Sequence, residues 1–396
     1  LRVVVLGGGS SGEHFVGALR RLDAEADLTL VERRLVGGEC SYWACMPTKA
    51  MLRAPELVAA ARRTPGVTGA DLDIPGVFHW RELVVDGRAD DAQAEWLKSK
   101  QCELVRGDGV VAEPGVVRVD DRELAYDRLV IATGSSPQIP PVVEGLDYWT
   151  NEEATETSEV PGSLLVLGGG PVGCELAQFF ARVGSRVTLV ETGERLLPNV
   201  DADAAALVHA ALEEDGVEVR LGTNASDKQS LTRHDRVLIA TGRRANVDGL
   251  DALGLTISHR GIEVDERLRA APNVWAIGDV TGIAPLTHVG KYHARIAAYD
   301  IAGREARADH RAIPATVFTD PQVATVGTLA GRIARWELTS TSRLSTYERP
   351  KRPGFVKVAA DPERRVLTGA VAVGPEAGEW LQQLTLAIRA EVPIET

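Results

Sequence analysis

Residues 2–12 read RVVVLGGGSSG, and residues 164–173 read LLVLGGGPVG. Each stretch joins a short apolar run, suited to a buried parallel strand, to a glycine loop and then to a helical pattern. LTLVE (28–32) follows the first helix pattern and RVTLVE (186–191) the second, so each unit ends a further strand in an acid, Glu32 or Glu191. The glycines fall at Gly7, Gly9 and Gly12, and again at Gly168, Gly170 and Gly173. In such a loop the first glycine permits a tight turn, the second lets a pyrophosphate approach the backbone, and the third allows helix to pack on strand. The helix N-terminus then presents free N–H groups to the phosphates. An acid ending the next strand accepts from the ribose hydroxyls. One such pattern fits an ordinary tight turn as well; two, each with strand, helix and terminal acid in place, predict a duplicated βαβ unit that binds two dinucleotides.

Composition agrees. A chain of 396 residues exceeds what a single core usually organises, and two or three domains are expected. With 44% hydrophobic residues, 39 glycines and no apolar run of about 18, it is expected to be globular, with no membrane insertion. The start LRVVVLGGG lacks the features of a signal peptide, which predicts a cytoplasmic location. A net charge of -12 opposes nonspecific binding to nucleic acid and favours small-molecule partners.

Between the units, helical patterns are expected at about 46–63 and 88–101. A β-rich segment with a turn at Asp120 and Asp121 runs into Thr133 and Gly134. LIATG recurs at 238–242, ending in Gly242; Asp279 follows an apolar strand, and a helix is expected to begin near Thr287 and His288. From 311 onward AIPATVFTDPQVATVG and GFVKVAADPERRVLTGAVAVG indicate an α+β domain closed by a helix at 376–390.

Two of the 4 cysteines lie in VGGECSYWACMPTKAML (36–52), at Cys40 and Cys45. Three readings are open: buried small hydrophobes, half of a metal site, or a redox pair. No second Cys or His pair at ligand spacing accompanies them, so no metal is expected. On a regular helix residues five apart rise by about 7.5 Å, beyond the roughly 6.8 Å that a disulfide spans between Cα atoms. A bridged pair therefore requires an irregular segment. Gly37 and Gly38 supply backbone freedom before it, and Pro47 favours a helix start that would bring Cys45 to a helix N-terminus, where a thiolate is favoured.

Taken together, GGECSYWACMPTK, both glycine units, both ATG segments, AIGD and FTDPQVATVG resemble the flavin-dependent pyridine nucleotide-disulfide oxidoreductases, in family order and over most of the chain. The resemblance implies an α/β fold with two Rossmann-like domains, for FAD and NAD, and a C-terminal α+β dimerisation domain. The implied domains are 1–147 (FAD, first part, with the redox disulfide), 148–272 (NAD(P)), 273–310 (FAD, second part) and 311–396 (interface). It implies that Asp279 contacts the FAD ribitol, that Gly109, Thr133 and Gly134 line FAD, and that Gly242 lines the nicotinamide cofactor. Cys45 becomes the sulfur nearest the flavin and Cys40 the interchange thiol; Lys49 and Glu175 match an ion pair beside the flavin N5. The backbone at Thr287 and His288 would face the flavin pyrimidine. The activity implied is electron transfer between NAD(P)H, FAD and a small disulfide or dithiol, by a homodimer. Reduction of a quinone or metal ion, and a noncatalytic redox sensor, are the alternatives. Glu191 suits a free ribose diol, so NAD is expected over NADP, although Arg195 is close enough in sequence to hold a phosphate.

The sequence departs from this family in three places. The family's C-terminal His and Glu are absent from EVPIET (391–396), and the interface domain is expected to be truncated. The stretch 222–233 is shorter than the strands usual there. Tyr42 and Trp43 are bulkier than the residues usual between such cysteines, either reshaping the disulfide's substrate face or filling core space. Cys102 and Cys174 are expected to be inert packing residues.

Overall fold

The strand Arg2–Leu6 pairs in parallel with both Asp27–Glu32 and Arg128–Ile131, placing Val5 opposite Leu30 and Val130. It is a central strand, which is why its sequence is apolar on both faces. Val3 and Val5 point into one core with Phe15, Val16 and Leu19 of the helix Ser10–Leu22; Val4 and Leu6 point into another, with Val111, Val117 and Val119. Val5 and Leu30 are fully buried. Each such side chain contributes about 1.5–3 kcal/mol.

The computed structural model describes residues 1–224, 231–338, 343–347 and 353–396. The chain divides into two units. The first comprises 1–46, 82–137 and 243–309. Its six-stranded sheet runs, in spatial order, Arg269–Ala271, Val274–Ala276, Arg128–Ile131, Arg2–Leu6, Asp27–Glu32, Cys102–Arg106; only the first of these is antiparallel to its neighbour. The helices Ser10–Leu22 and Thr287–Ile301 cover one face. The antiparallel meander Gly109–Glu113, Val116–Val119, Arg122–Ala125 covers the other, turning at Asp120 (φ 51°) and Asp121 as the sequence predicts.

The second unit comprises 47–81, 138–242 and 310–396. A parallel sheet in the order Glu218–Arg220, Arg186–Val190, Ser163–Leu167, Arg236–Ile239 carries the helices Pro171–Arg182 and Ala202–Glu214. An antiparallel sheet in the order Pro314–Val317, Gln322–Gly327, Val366–Gly374, Phe355–Asp361, Arg332–Glu337 carries Ala377–Trp380 and Gln382–Arg389. One continuous core joins them: Val317, Phe355 and Val373 lie in the same cluster as Phe179, Phe180 and Leu189.

Three features differ from the sequence expectations. Residues 243–272, grouped there with the second dinucleotide unit, cluster with the first, because Arg243–Ala245 pairs with Ser135–Pro137 and Ile262 enters the meander's core. The helix Ile74–Val84 was not expected: its Pro75 and Gly76 signal a loop, yet proline is tolerated in a first helical turn and the Gly76 N–H donates to the Asp73 carboxylate at 3.1 Å. The expected helix at 88–101 is confined to Asp91–Ser99. Of the short stretch noted at 222–233, residues 225–230 lie outside the described residues.

Asp300, on the helix Thr287–Ile301, secures the first unit. Its buried carboxylate accepts from Arg269 at 2.6 Å and 2.8 Å, Arg267 at 3.1 Å and the Trp275 indole at 3.0 Å. Burial pushes its pKa up, but the Arg269, Trp275 and Arg267 donors outweigh burial and hold it below the ordinary value. Replacing Asp300 by Ala leaves the Trp275 N–H without its acceptor; we expect a loss of about 2–3 kcal/mol in urea unfolding. The wild-type advantage is full above the unfolded-state pKa and fades as pH falls through the folded-state value.

Candidate functional site

The first glycine loop is bare backbone packed on bare backbone. Gly7 has φ 104°, and a Cβ there would lie 2.3 Å from the Ala132 carbonyl oxygen; a Cβ on Gly12 would lie 2.0 Å from the Gly7 oxygen. Gly9 meets nothing nearer than Gly38 Cα at 3.9 Å. The second loop repeats this, with Gly168 (φ 107°) against Ala240, Gly173 against Gly168, and open space around Gly170. Where the helix must pack, no side chain fits; where a phosphate would approach, nothing obstructs it. Both loops therefore fit a dinucleotide.

The terminal acids brace the loops. Glu32 accepts from the Gly8 N–H and the Arg34 N–H, both at 2.7 Å. Glu191 accepts from Gly169 and Gly193 N–H groups, both at 2.7 Å. Burial raises the Glu191 pKa, but these backbone donors and Thr192 prevail and keep it below the ordinary value, hence anionic. Arg195, the residue that left NADP open, is turned into its own loop, donating to the Val200 carbonyl at 2.8 Å and to the Pro198 carbonyl.

Cys40 lies in the short helix Gly38–Tyr42, and Cys45 opens the next, Cys45–Arg63. The helical path is thus broken between them, the irregularity that a bridge requires. Both are partly exposed. Gly37 (φ 111°) and Gly38 (φ 65°) bring this segment onto the first loop: the Gly37 N–H donates to the Gly8 carbonyl at 2.8 Å, and a Cβ on Gly38 would stand 2.7 Å from Gly9 Cα. Cys45 Sγ lies 3.5 Å from Thr287 Oγ1, so two helix N-termini meet at that sulfur.

Tyr42 and Trp43 are buried, pack edge to face at 5.7 Å and enclose Val85. The Tyr42 hydroxyl lies 3.1 Å from the Val36 and Ala89 carbonyls, and the Arg34 guanidinium stacks 3.9 Å over Trp43. Of the two readings offered for these bulky residues, core filling holds. Cys102 and Cys174 are buried, and burial raises both pKa values, that of Cys102 to about 12.

Around Asp279, Ser135 Oγ donates at 2.9 Å; burial raises the pKa of this carboxyl, with Ser135 and Arg243 opposing. Thr133 donates to the Asn246 carbonyl at 2.6 Å, Asn246 returns a bond to the Thr133 carbonyl at 2.9 Å, and the Asn246 N–H donates to Gly134 (φ 72°). Gly109 starts a strand, where a Cβ would stand 2.7 Å from Leu6 Cδ2. His288 is exposed; the histidine that enters this unit's interior is His293, whose Nδ1 accepts from the Gly278 N–H at 3.3 Å.

In the second unit, Lys49 and Glu175 converge on Phe318: the ammonium lies 4.0 Å over its ring and Glu175 accepts its N–H at 2.9 Å. Gly242 (φ 115°) accepts from the Gln138 N–H at 2.9 Å. Sequence reasoning missed Ser135, Arg243, Asn246 and His293. Ser135 and Arg243 immediately follow the two ATG segments and Asn246 stands four residues past the second, which was the available signal.

The family model for pyridine nucleotide-disulphide oxidoreductases matches residues 1–306. The chain belongs to this family. The dimerisation-domain model of the same family matches residues 313–396. The chain is 33% identical to dihydrolipoyl dehydrogenase 2 of Haloarcula marismortui over 435 aligned positions, covering 99% of this chain and 91% of that protein. It is 32% identical to the mercuric reductase of Acidithiobacillus ferrooxidans, covering 100% and 78%. Among solved structures, LpdA from Mycobacterium tuberculosis superposes with a TM-score of 0.86 at 25% identity, covering 100% of this chain and 94% of that one. The flavoprotein disulfide reductase RclA from Escherichia coli shares the fold, with a TM-score of 0.85 at 22% identity over 99% and 94%. Membership makes the protein an FAD-dependent oxidoreductase that uses a nicotinamide dinucleotide. Among the described residues no helix is long and apolar enough to cross a membrane.

Two outcomes test the loops. Exchanging Glu191 for Arg should move the ratio of kcat/KM for NADPH over NADH upward by about tenfold or more, since it replaces the carboxylate that braces the second glycine loop by a phosphate partner. Glu13, in the first turn of Ser10–Leu22, is raised by burial to about 7 from 4.5, with Lys291 pulling down and Asp90 pushing up. The folded state therefore holds a proton that the unfolded state has lost. Relative to E13Q, the wild type should lose up to about 3 kcal/mol as pH rises from about 4.5 to 7, and no more above that. Urea unfolding at a series of pH values reads this difference; a flat one refutes the assignment.

Proposed function

We propose that this flavoenzyme passes electrons from NADH, through FAD and the Cys40–Cys45 pair, to a small disulfide, or in reverse from a small dithiol to NAD. The observation that carries this reading is the placement of the pair: the glycine hinge seats Cys40 beside the first dinucleotide loop, and Cys45 opens a helix with its sulfur against Thr287. The Gly7–Gly12 loop and Glu32 would hold the FAD adenosine and pyrophosphate, and Asp279 its ribitol; the Gly168–Gly173 loop and Glu191 would hold NAD. FAD held there would supply a two-electron relay between the nicotinamide and the Cys40–Cys45 pair.

The reduced pair then acts through its two sulfurs. The Cys40 thiolate attacks one sulfur of the substrate disulfide, releasing the first product thiolate, which takes a proton, and leaving Cys40 joined to the second half. Cys45, as thiolate, attacks Cys40 Sγ, expels the second product as a thiolate that takes a proton from solvent, and restores the bridge. Its place at the N-terminus of a 19-residue helix stabilises the negative charge it carries before that step. Two half-reactions on one enzyme predict ping-pong kinetics. The family description supports disulfide exchange over metal-ion reduction, and the dimerisation-domain match supports a homodimer. We place the enzyme in the cytoplasm, where a dithiol pair is kept cycling. Lipoamide is the first substrate to try, given the dihydrolipoyl dehydrogenases among the relatives, followed by mycothiol disulfide, glutathione disulfide and quinones.

Anaerobic titration of the purified protein with NADH should produce a long-wavelength thiolate-to-flavin absorption band at two electrons per flavin. Replacing Cys45 by Ser should abolish it, whereas Cys40→Ser should keep it while disulfide turnover falls by a factor of about 10³ or more. A band that survives in C45S would place a different sulfur against the flavin.

A further inference from the structure

The hinge that seats the cysteine segment also brings an acid with it. Glu39 directly follows Gly38, the residue packed against Gly9, and so stands beside the loop that receives the dinucleotide phosphates. A carboxylate there would repel them. Instead its Oε2 is paired with the Arg243 guanidinium, from a segment 204 residues away. Arg243 is itself held: Nε donates to Ser135 Oγ at 2.8 Å and Nη2 to the Ser135 carbonyl at 2.6 Å. Ser135 in turn donates to Asp279. The pair is about three-quarters buried, with side-chain exposures of 26% and 27%, so solvent screens it only partly.

We propose that Arg243 is a positioning residue whose task is to neutralise Glu39, letting an acid-bearing redox turn lie against the phosphate loop without expelling FAD. The arrangement couples two demands. The redox turn must touch the glycine loop to set Cys40 and Cys45, and the loop must stay free of negative charge to hold a pyrophosphate. Arg243, held beside Glu39 by its bonds to Ser135, satisfies both with its charge. The inference rests on the first unit's binding FAD.

Retention of FAD tests it, read as the flavin-to-protein ratio and as the FAD dissociation constant after reconstitution, with the four proteins of a cycle: wild type, E39Q, R243Q and E39Q/R243Q. R243Q should weaken FAD binding by about tenfold or more, because it exposes the carboxylate to the phosphates in a partly desolvated site. E39Q should bind no more weakly than wild type, and the double variant should return to within about threefold of it, the non-additivity being the signature of one coupled pair. Equal losses in R243Q and the double variant would mean that Arg243 grips the phosphates directly, and would overturn the proposal. So would full FAD retention in R243Q. If R243Q fails to fold, R243K decides: the charge is kept and the fork lost, so FAD held within about threefold of wild type supports neutralisation, and its loss refutes it. A wild type that purifies and reconstitutes without FAD would instead sink the underlying assignment of the first unit.

Discussion

The architecture turns on a contact that consists of missing atoms. At Gly12 the helix Ser10–Leu22 approaches the end of its own strand so closely that a methyl group would stand 2.0 Å from the Gly7 carbonyl oxygen. At Gly173 a methyl group would stand 1.9 Å from the Gly168 carbonyl oxygen. Neither distance leaves room for rearrangement, since the obstructing atoms are backbone. That approach aims each helix N-terminus along the strand's extension, opens the phosphate position and sets how near the next strand's acid stands. In the first unit it also fixes Gly8 and Gly9, on which Gly37 and Gly38 rest. The redox turn is thus placed by steric exclusion one step removed.

Much of this was legible because the constraint is written in residue type. A glycine needed for close approach, an acid at a strand's end and a cysteine behind two glycines all announce themselves locally, and the structure puts Gly7, Gly9, Gly12, Glu32 and their second-unit counterparts in the arrangement expected. The helix beginning at Thr287 was equally plain. What escaped was long-range. Nothing near Glu39 in the sequence indicates that Arg243 is its partner, and Asn246 gives no sign that it will exchange hydrogen bonds with Thr133. The grouping of 243–272 with the first unit depends on strand pairing with 135–137, which periodicity cannot reveal. The helix Ile74–Val84 hid behind Pro75 and Gly76, residues that punctuate loops but are also at home in a first turn.

The bulky pair between the cysteines shows how a reading of chemistry depends on burial. Tyr42 and Trp43 sit in the most suggestive stretch of the chain, yet both face inward, with the Tyr42 hydroxyl occupied by carbonyls and Trp43 covered by Arg34. Their contribution is rigidity. They anchor the turn from below, so that Ser41, Cys40 and Glu39 are presented by a segment with little freedom to rotate.

The same chain withholds its other thiols. Cys102 is sealed within a sheet strand and Cys174 within the helix behind the second glycine loop, both protonated by virtue of burial. A protein whose work is to trade electrons with sulfur must avoid trading them at random, because any third accessible thiolate could capture the bridge and trap it in a wrong pairing. Here the defence is geometric rather than chemical: the packing that stabilises the two sheets also leaves the functional pair as the readily reached cysteines, so selectivity in thiol exchange comes from the core.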